Sequence, residues 1–447
     1  MAEDIRTAFI QAACAPREGS HASGTLDAAN AILAAHPEIA RQDIHAAAVV
    51  GDADAVSRFL SDDPALATAA GGPYGWDALT HLCFSRYLRL DRTRSRGLVR
   101  SAEALLRAGA SAATGFFEPG HQPQPVWESA LYGASGVAHH PGLTRLLLAH
   151  GADPNDDEVP YHAPETYDNR ALKLIIESGR LTADSLATML LRKADWHDHR
   201  GIALLLRHGA DPNYVTRWGR TALHQAILRD NALDNIDLML DRGADATLSA
   251  GGRTAADMAA RHGRGDVLAS LARRQIAVEF RGVDRLIAAC AIDDAGAVRA
   301  IADAEPQLVV ELHELEGELL AEFAGAGNTA GVRRLLDLGV PVDVPFTRGD
   351  PYYGIPPAST ALQVAACRAR HDTVTLLIER GAAIDRVDAN GRTALALAIR
   401  AAVDSYWMGR RSPRSVRALL EAGASAAGIS VPCGYWRIDR LLRTASG

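Results

Sequence analysis

The stretch LLLRHGADPN at 204–213, followed by GRTALHQAI at 219–227, decides how the chain is read. Its first half is a leucine-rich helix end closed by Gly209, a position suited to a left-handed backbone that a side chain would disfavour. Its second half opens a new helix on Thr221, whose hydroxyl can accept from an otherwise unpaired backbone N–H. The first phrase returns as LLRAGASA (105–112), LLLAHGADPN (146–155), LMLDRGADAT (238–247), LLDLGVPVD (335–343), LLIERGAAID (376–385) and LLEAGASAA (419–427). The second returns as GRTAADMAA (252–260), STALQVAA (359–366) and GRTALALAI (391–399). Gly109, Gly151, Gly179, Gly209 and Gly243 are spaced by 42, 28, 30 and 34 residues, and Gly339, Gly381 and Gly423 by 42. Two further helix pairs fill the gap from Gly243 to Gly339, with second helices near 266–274 and 295–304.

Repetition on this period predicts stacked helix pairs, each burying its Leu/Ala face on the next. The alternation resembles the ankyrin-repeat family, in its bacterial type, over roughly residues 45–427. One departure is consistent: the family's T-P-L-H proline is replaced by Ala222, Ala255, Ala361 and Ala394. PYHA at 160–163 keeps Pro, His and Ala, with Tyr161 in the Leu slot. The expected fold is an all-α ankyrin-type solenoid of about a dozen units, running through residues 1–447 as one domain. Residues 1–44 read as irregular N-terminal capping helices broken by a Gly/Ser/Pro insert at 16–24, and 428–447 as a C-terminal cap and tail.

Composition narrows the class of function. Hydrophobic residues make up 48% of 447 and aromatics 5%, which suits short, closely packed helices. The net charge of -7 gives no global pull toward nucleic acid or anionic membrane, and no apolar run is long enough to span a bilayer. Arg86 to Arg107 form a local basic stretch, read as a solvated helix link. Lys173 and Lys193 are the only lysines. The five cysteines are scattered and form no C-x-x-C pair, so neither a disulfide framework nor a zinc site is expected. The start lacks a basic flank and an apolar stretch, so no signal peptide is expected, and the cytoplasm is the default address.

Extra residues in a repeat must lie on a surface, so insertions point to function. Four stand out: 87–97, 114–127, 346–358 and 404–415. The ankyrin resemblance implies a groove lined by the turns and by the outward side of each first helix. Aligning those helices on T-A-L-H places there Trp76, His81, Arg86, Trp127, Glu128, Glu158, Arg192, Lys193, Trp218, Arg220 and Arg229. Tryptophan beside arginine is the composition of binding hot spots. The expected function is therefore a scaffold for a protein or peptide partner, with Trp76, Trp127 and Trp218 as anchors. Arg86, Arg192, Lys193 and Arg229 would face acidic or phosphorylated groups.

A second reading places an enzyme or small-molecule pocket at 158–199, built from Tyr161, His162, Glu165, Tyr167, Trp196, His197 and Asp198. His162 and His224 also fit the family slot that ties one turn to the next. His197 and His199 form an H-x-H in a short link, with no third ligand nearby in sequence. No phosphate loop, G-x-S-x-G or H-E-x-x-H occurs, so no cofactor, metal or catalytic residue is assigned.

Overall fold

The computed structural model describes residues 2–17, 19–118 and 126–445. Residues 119–125 of the 114–127 insert, Glu18 of the 16–24 insert, Met1 and residues 446–447 lie outside the described residues.

Helix starts and stops follow the repeated phrases. Thr221, Thr254, Thr360 and Thr393 each accept from a backbone N–H at the mouth of a first helix, which begins at Ala222, Ala255, Ala361 or Ala394. Alanine therefore occupies the first helical position, where the family's proline would stand. Gly209, with φ of 88°, closes the helix His199–Arg207 in the left-handed region, and the other marker glycines share that sign.

Two compact units carry the helices. The first comprises Met1–Arg229 with Asp241–Ala244, the second Asp230–Leu240 with Asp245–Gly447. In the first unit, Ala2–Ala13 and Asp27–Ala35 pack together ahead of the pair Ile44–Val50 and Ala53–Asp62. The first helices then stack: Ile44–Val50 on Ala78–Cys83, Glu158–His162 on Ala183–Asp195, and Ala183–Asp195 on Ala222–Leu228. Leu79, Leu98, Leu105, Leu131, Leu190 and Leu205 are fully buried between these layers. Each contributes roughly 1.5–3 kcal/mol over leaving it in water.

The second unit repeats the scheme with Ala255–Arg261 and Gly265–Arg273, Val283–Ala291 and Ala295–Ala304, Glu316–Ala326 and Thr329–Asp337, Ala361–Cys367 and His371–Glu379, then Ala394–Val403 and Arg414–Glu421. A helix absent from the sequence expectation, Pro306–His313, lies between two pairs and buries Leu308 and Leu312. Its start has proline at the first turn but none of the Thr or Gly punctuation of the repeats.

The inserts take definite shapes. Residues 87–97 fold mostly as helix, Arg86–Leu90 and the turn Arg92–Arg94 leading into Ser95–Arg107. The 114–127 insert supplies a two-stranded hairpin, Gly115–Glu118 against Val126–Ser129, which sets Phe117 opposite Trp127. With a second, two-residue hairpin at Ser249–Ala250 and Arg253–Thr254, it adds short strands to an otherwise helical fold.

Candidate functional site

The predicted groove residues of the first unit divide into a covered end and an open end. At the covered end, Trp76 lies in the turn before Ala78–Cys83 and is 5% exposed. The hairpin lays Phe116 flat on its ring, 4.1 Å between centroids. Trp76 is thus core, and its expected role as an accessible anchor is corrected. His81 is likewise buried, with Nδ1 2.9 Å from the Asp77 carbonyl; burial pushes its pKa down to about 4, so it stays neutral. Arg86 points its guanidinium at main chain, donating to the carbonyls of Ala12 (2.6 Å) and Ser23 (3.3 Å).

Glu128 lies in the second strand of the hairpin with its carboxyl group fully buried. Burial first, then the charge of Glu158, pushes its pKa up to about 8. His21 Nδ1 lies 3.8 Å from this carboxylate and 3.0 Å from the Tyr132 hydroxyl. Asp156 is held up at about 6, chiefly by burial.

From there a ladder of charges leads to the open end. His162 stands between two carboxylates, Nε2 3.1 Å from Glu158 and Nδ1 2.7 Å from Glu165. Burial opposes its imidazolium, but those two hydrogen bonds prevail and raise its pKa to about 9. Glu165 also pairs with Arg192, which reaches Asp195 and lies 4.0 Å over the Tyr161 ring. Asp195 is a buried hub that additionally accepts from Gln225 (2.5 Å) and Arg229 (2.9 Å). Arg220 extends the line by donating to Gln225 at 3.1 Å. Tyr161 and Trp218 pack 5.6 Å apart, with the Arg217 guanidinium 4.7 Å over the Trp218 ring, and Trp218 is 37% exposed. Trp127 is half-buried and meets the exposed Phe117 edge-on at 4.8 Å.

Lys193 leaves this line altogether. Its side chain is fully buried, with Nζ 2.8 Å from Asp198 and donating to the Thr166 carbonyl at 2.5 Å. Burial lowers the lysine pKa while Asp198 opposes the drop. The expectation that Lys193 faces a partner is corrected: it is an internal tie. Asp198 also caps His199–Arg207, so His197 and Asp198 are turn residues between two helices. Among the described residues no group of three or more His, Cys, Asp or Glu is arranged to hold a metal ion. Trp196 packs edge-on against the exposed Tyr167 at 5.5 Å, apart from the ladder. His224 is buried, its Nδ1 2.7 Å from the Thr221 hydroxyl at the start of its own helix.

Residues 190–281 and 320–427 match the family model described as "Ankyrin repeats (3 copies)". The chain carries ankyrin repeats. Ankyrin repeats are in general protein–protein interaction scaffolds. Among solved structures, the chain is similar to the human ASB11 ankyrin repeat domain at 22% identity, over 60% of this chain and 99% of that one, with a TM-score of 0.26. An ankyrin repeat domain from Acinetobacter baumannii aligns at 21% identity over 47% and 100%, with a TM-score of 0.35. The ankyrin repeat domain of Bcl-3, a member of the IkappaB family, aligns at 18% identity over 52% and 96%, with a TM-score of 0.23. None of the curated proteins matches the chain.

The ankyrin inserts of the second unit, 346–358 and 404–415, meet each other. The Tyr352 and Tyr406 hydroxyls are 3.2 Å apart, and Tyr353 packs 5.1 Å from Trp407. Arg368 lies 4.6 Å over Tyr353 and Arg410 lies 4.3 Å over Trp407. Asp230 gathers Arg370, Arg410 (3.3 Å) and Arg264 (3.6 Å) beneath them. Sequence reasoning found the inserts but missed Asp195, Tyr132, Asp156 and His21. Of these only Asp195 left a local sign, an acid three residues after Arg192 on one helix face.

Proposed function

We propose that this ankyrin-repeat protein is a protein-binding scaffold whose working surface in the first unit runs from Trp127 through Glu158, His162 and Arg192 to Trp218. The observation that carries the proposal is the Tyr161–Trp218 pair, 5.6 Å apart and flanked by Arg192 and Arg217. Trp, Tyr and Arg dominate binding hot spots because large, stiff side chains desolvate much area for little entropy. Both rings are already held by guanidinium groups, so less order is lost on binding. Arg192 and Arg229 already face carboxylates, as does the buried Lys193. The surface therefore suits apolar and basic groups on a partner better than the acidic or phosphorylated ones expected from sequence.

The test is quantitative capture on the wild-type protein, followed by titration of each recovered partner against Trp218→Ala and Tyr161→Ala. A loss of tenfold or more in affinity for either variant supports the surface, corresponding to about 1.4 kcal/mol. Unchanged affinity for both removes it.

A second reading, a small-molecule site, has one observation in its favour. Glu128 keeps its proton up to about 8 beside the ladder of Glu158 and His162, and shifted groups of this sort gather at sites of chemistry. A metabolite that raises the Tm of wild type but not of Glu128→Gln would move this reading to the front.

A further inference from the structure

We infer that residues 16–17 and 19–24 form an intramolecular ligand lying on the covered end of the first unit's groove, and that the partner able to replace them is an extended segment carrying basic side chains at the spacing of Arg17 and His21. The inference deepens the scaffold reading, on which it rests, by naming the chemistry of the partner.

The described residues of the segment between the helices Ala2–Ala13 and Asp27–Ala35 lie outside any helix, with a turn bond from the Ser23 N–H to the Ser20 carbonyl at 2.9 Å. It is held at both ends by main chain. On entry, Ala15 N–H donates to the Phe84 carbonyl at 2.7 Å, and Cys14 forms an antiparallel bridge with Ser85. On exit, the Arg86 and Arg89 guanidiniums donate to the carbonyls of Ser23 (3.3 Å) and Gly24 (3.5 Å). A Cβ on Gly24 would stand 2.6 Å from the Arg86 guanidinium, so the fit there is close. Main-chain hydrogen bonds with side chains entering pockets at intervals are how an extended peptide is recognised.

Two basic side chains make the specific contacts. Arg17 donates to the Phe117 carbonyl (3.4 Å), lies 3.7 Å from the Glu118 carboxylate, and covers the rings of Phe116 and Trp76 at 5.4 and 5.9 Å. His21 meets Tyr132 and Glu128, 111 and 107 residues further along the chain. The Glu118 carboxylate faces Arg17, so a cation at that position complements the floor, while Glu128, which holds its proton up to about 8, lies 3.8 Å from the His21 imidazole. Apolar burial within the segment is slight. Past Ala15 the side chains are polar or small, and Ser20, Ala22, Ser23 and Gly24 are exposed. A strap held by polar contacts opens at a small fraction of the global unfolding free energy.

The test uses the full chain and a fluorescein-labelled synthetic peptide of residues 12–26. In wild type the attached segment competes at high effective concentration, so the free peptide binds poorly. In Arg17→Ala/His21→Ala the attached segment is released. The peptide then binds at least tenfold more tightly by anisotropy, and amide exchange quickens across 16–24. Gly24→Ala, which disturbs only the exit clamp, gives a smaller gain. A peptide with glutamate in place of Arg17 and His21 fails to bind either protein. Equal peptide affinity for wild type and the folded double variant, or binding by neither, overturns the inference. If peptide exchange fails while Trp218→Ala still loses a partner, only this inference falls; the reverse result sinks only the scaffold surface.

Discussion

Glu128 in the first unit and Glu322 in the second are both buried and are treated in opposite ways. Glu128 in the first unit is fully buried and Glu322 in the second is 9% exposed, so burial alone would raise both pKa values. Glu128 has Glu158 and Glu118 for neighbours, and it rises to about 8. Glu322 has His262 at 3.0 Å and Arg348 at 2.6 Å, with Arg368 close by, and burial is overcome to leave it at about 2. What surrounds a buried carboxylate, more than its depth, decides whether it is a tie or a reserve. The second unit closes on its acids with arginine, Asp230 included. The first unit closes on Asp195 in the same way but sets Glu128 among other acids, beside a surface we assign to binding.

The most severe way to break this comparison is Glu322→Ala. Removing the acid takes a partner from His262 and from the half-exposed Arg348 and one carboxylate from the surroundings of the buried Arg368, which should cost about 2–4 kcal/mol in denaturant unfolding at pH 7. A loss below about 1 kcal/mol would mean that the second unit's pairs are not coupled as described. Because its folded pKa is depressed, the stabilisation from Glu322 is present above the unfolded value of about 4.3 and fades as pH falls toward 2. His162→Gln comes next. The raised pKa of His162 gives stability that is full below about 6.5 and lost as pH rises through about 9. Wild type should exceed the variant by roughly 2 kcal/mol at pH 6, with the gap gone by pH 10. A gap that persists there would assign the effect to packing. Glu128→Gln should have the smallest effect and the opposite sign. Its folded pKa is raised, so ionisation costs stability increasingly from about 4.3 up to 8. The variant should gain about 1–2 kcal/mol at pH 8 and nothing at pH 4. A destabilised variant at pH 8 would show that Glu128 works as a tie after all.

The fold was legible because its punctuation is local and repeated. Thr221, Thr254, Thr360 and Thr393 sit where a cap must sit, and Leu223, Leu362 and Leu395, which follow three of them, are buried. The helix Pro306–His313 was not, because it carries neither mark. Groove residues could be named from register alone, but register says nothing about what lies on top of them. Trp76 is roofed by Phe116 from an insert, and Arg17 arrives at Phe117 from 100 residues away. Lys193 shows the same limit at short range. Its slot at the end of a first helix reads as outward, yet Asp198 and the Thr166 carbonyl draw the amine inside.

That buried amine has a practical side. The chain has two lysines, and the other, Lys173, keeps 58% of its side chain in solvent on the helix Arg170–Glu177. Acylating reagents need an accessible, unprotonated nitrogen, so among side-chain amines they should find Lys173 and pass Lys193 by. A dye or crosslinker attached to that side chain would report from one known point on the first unit.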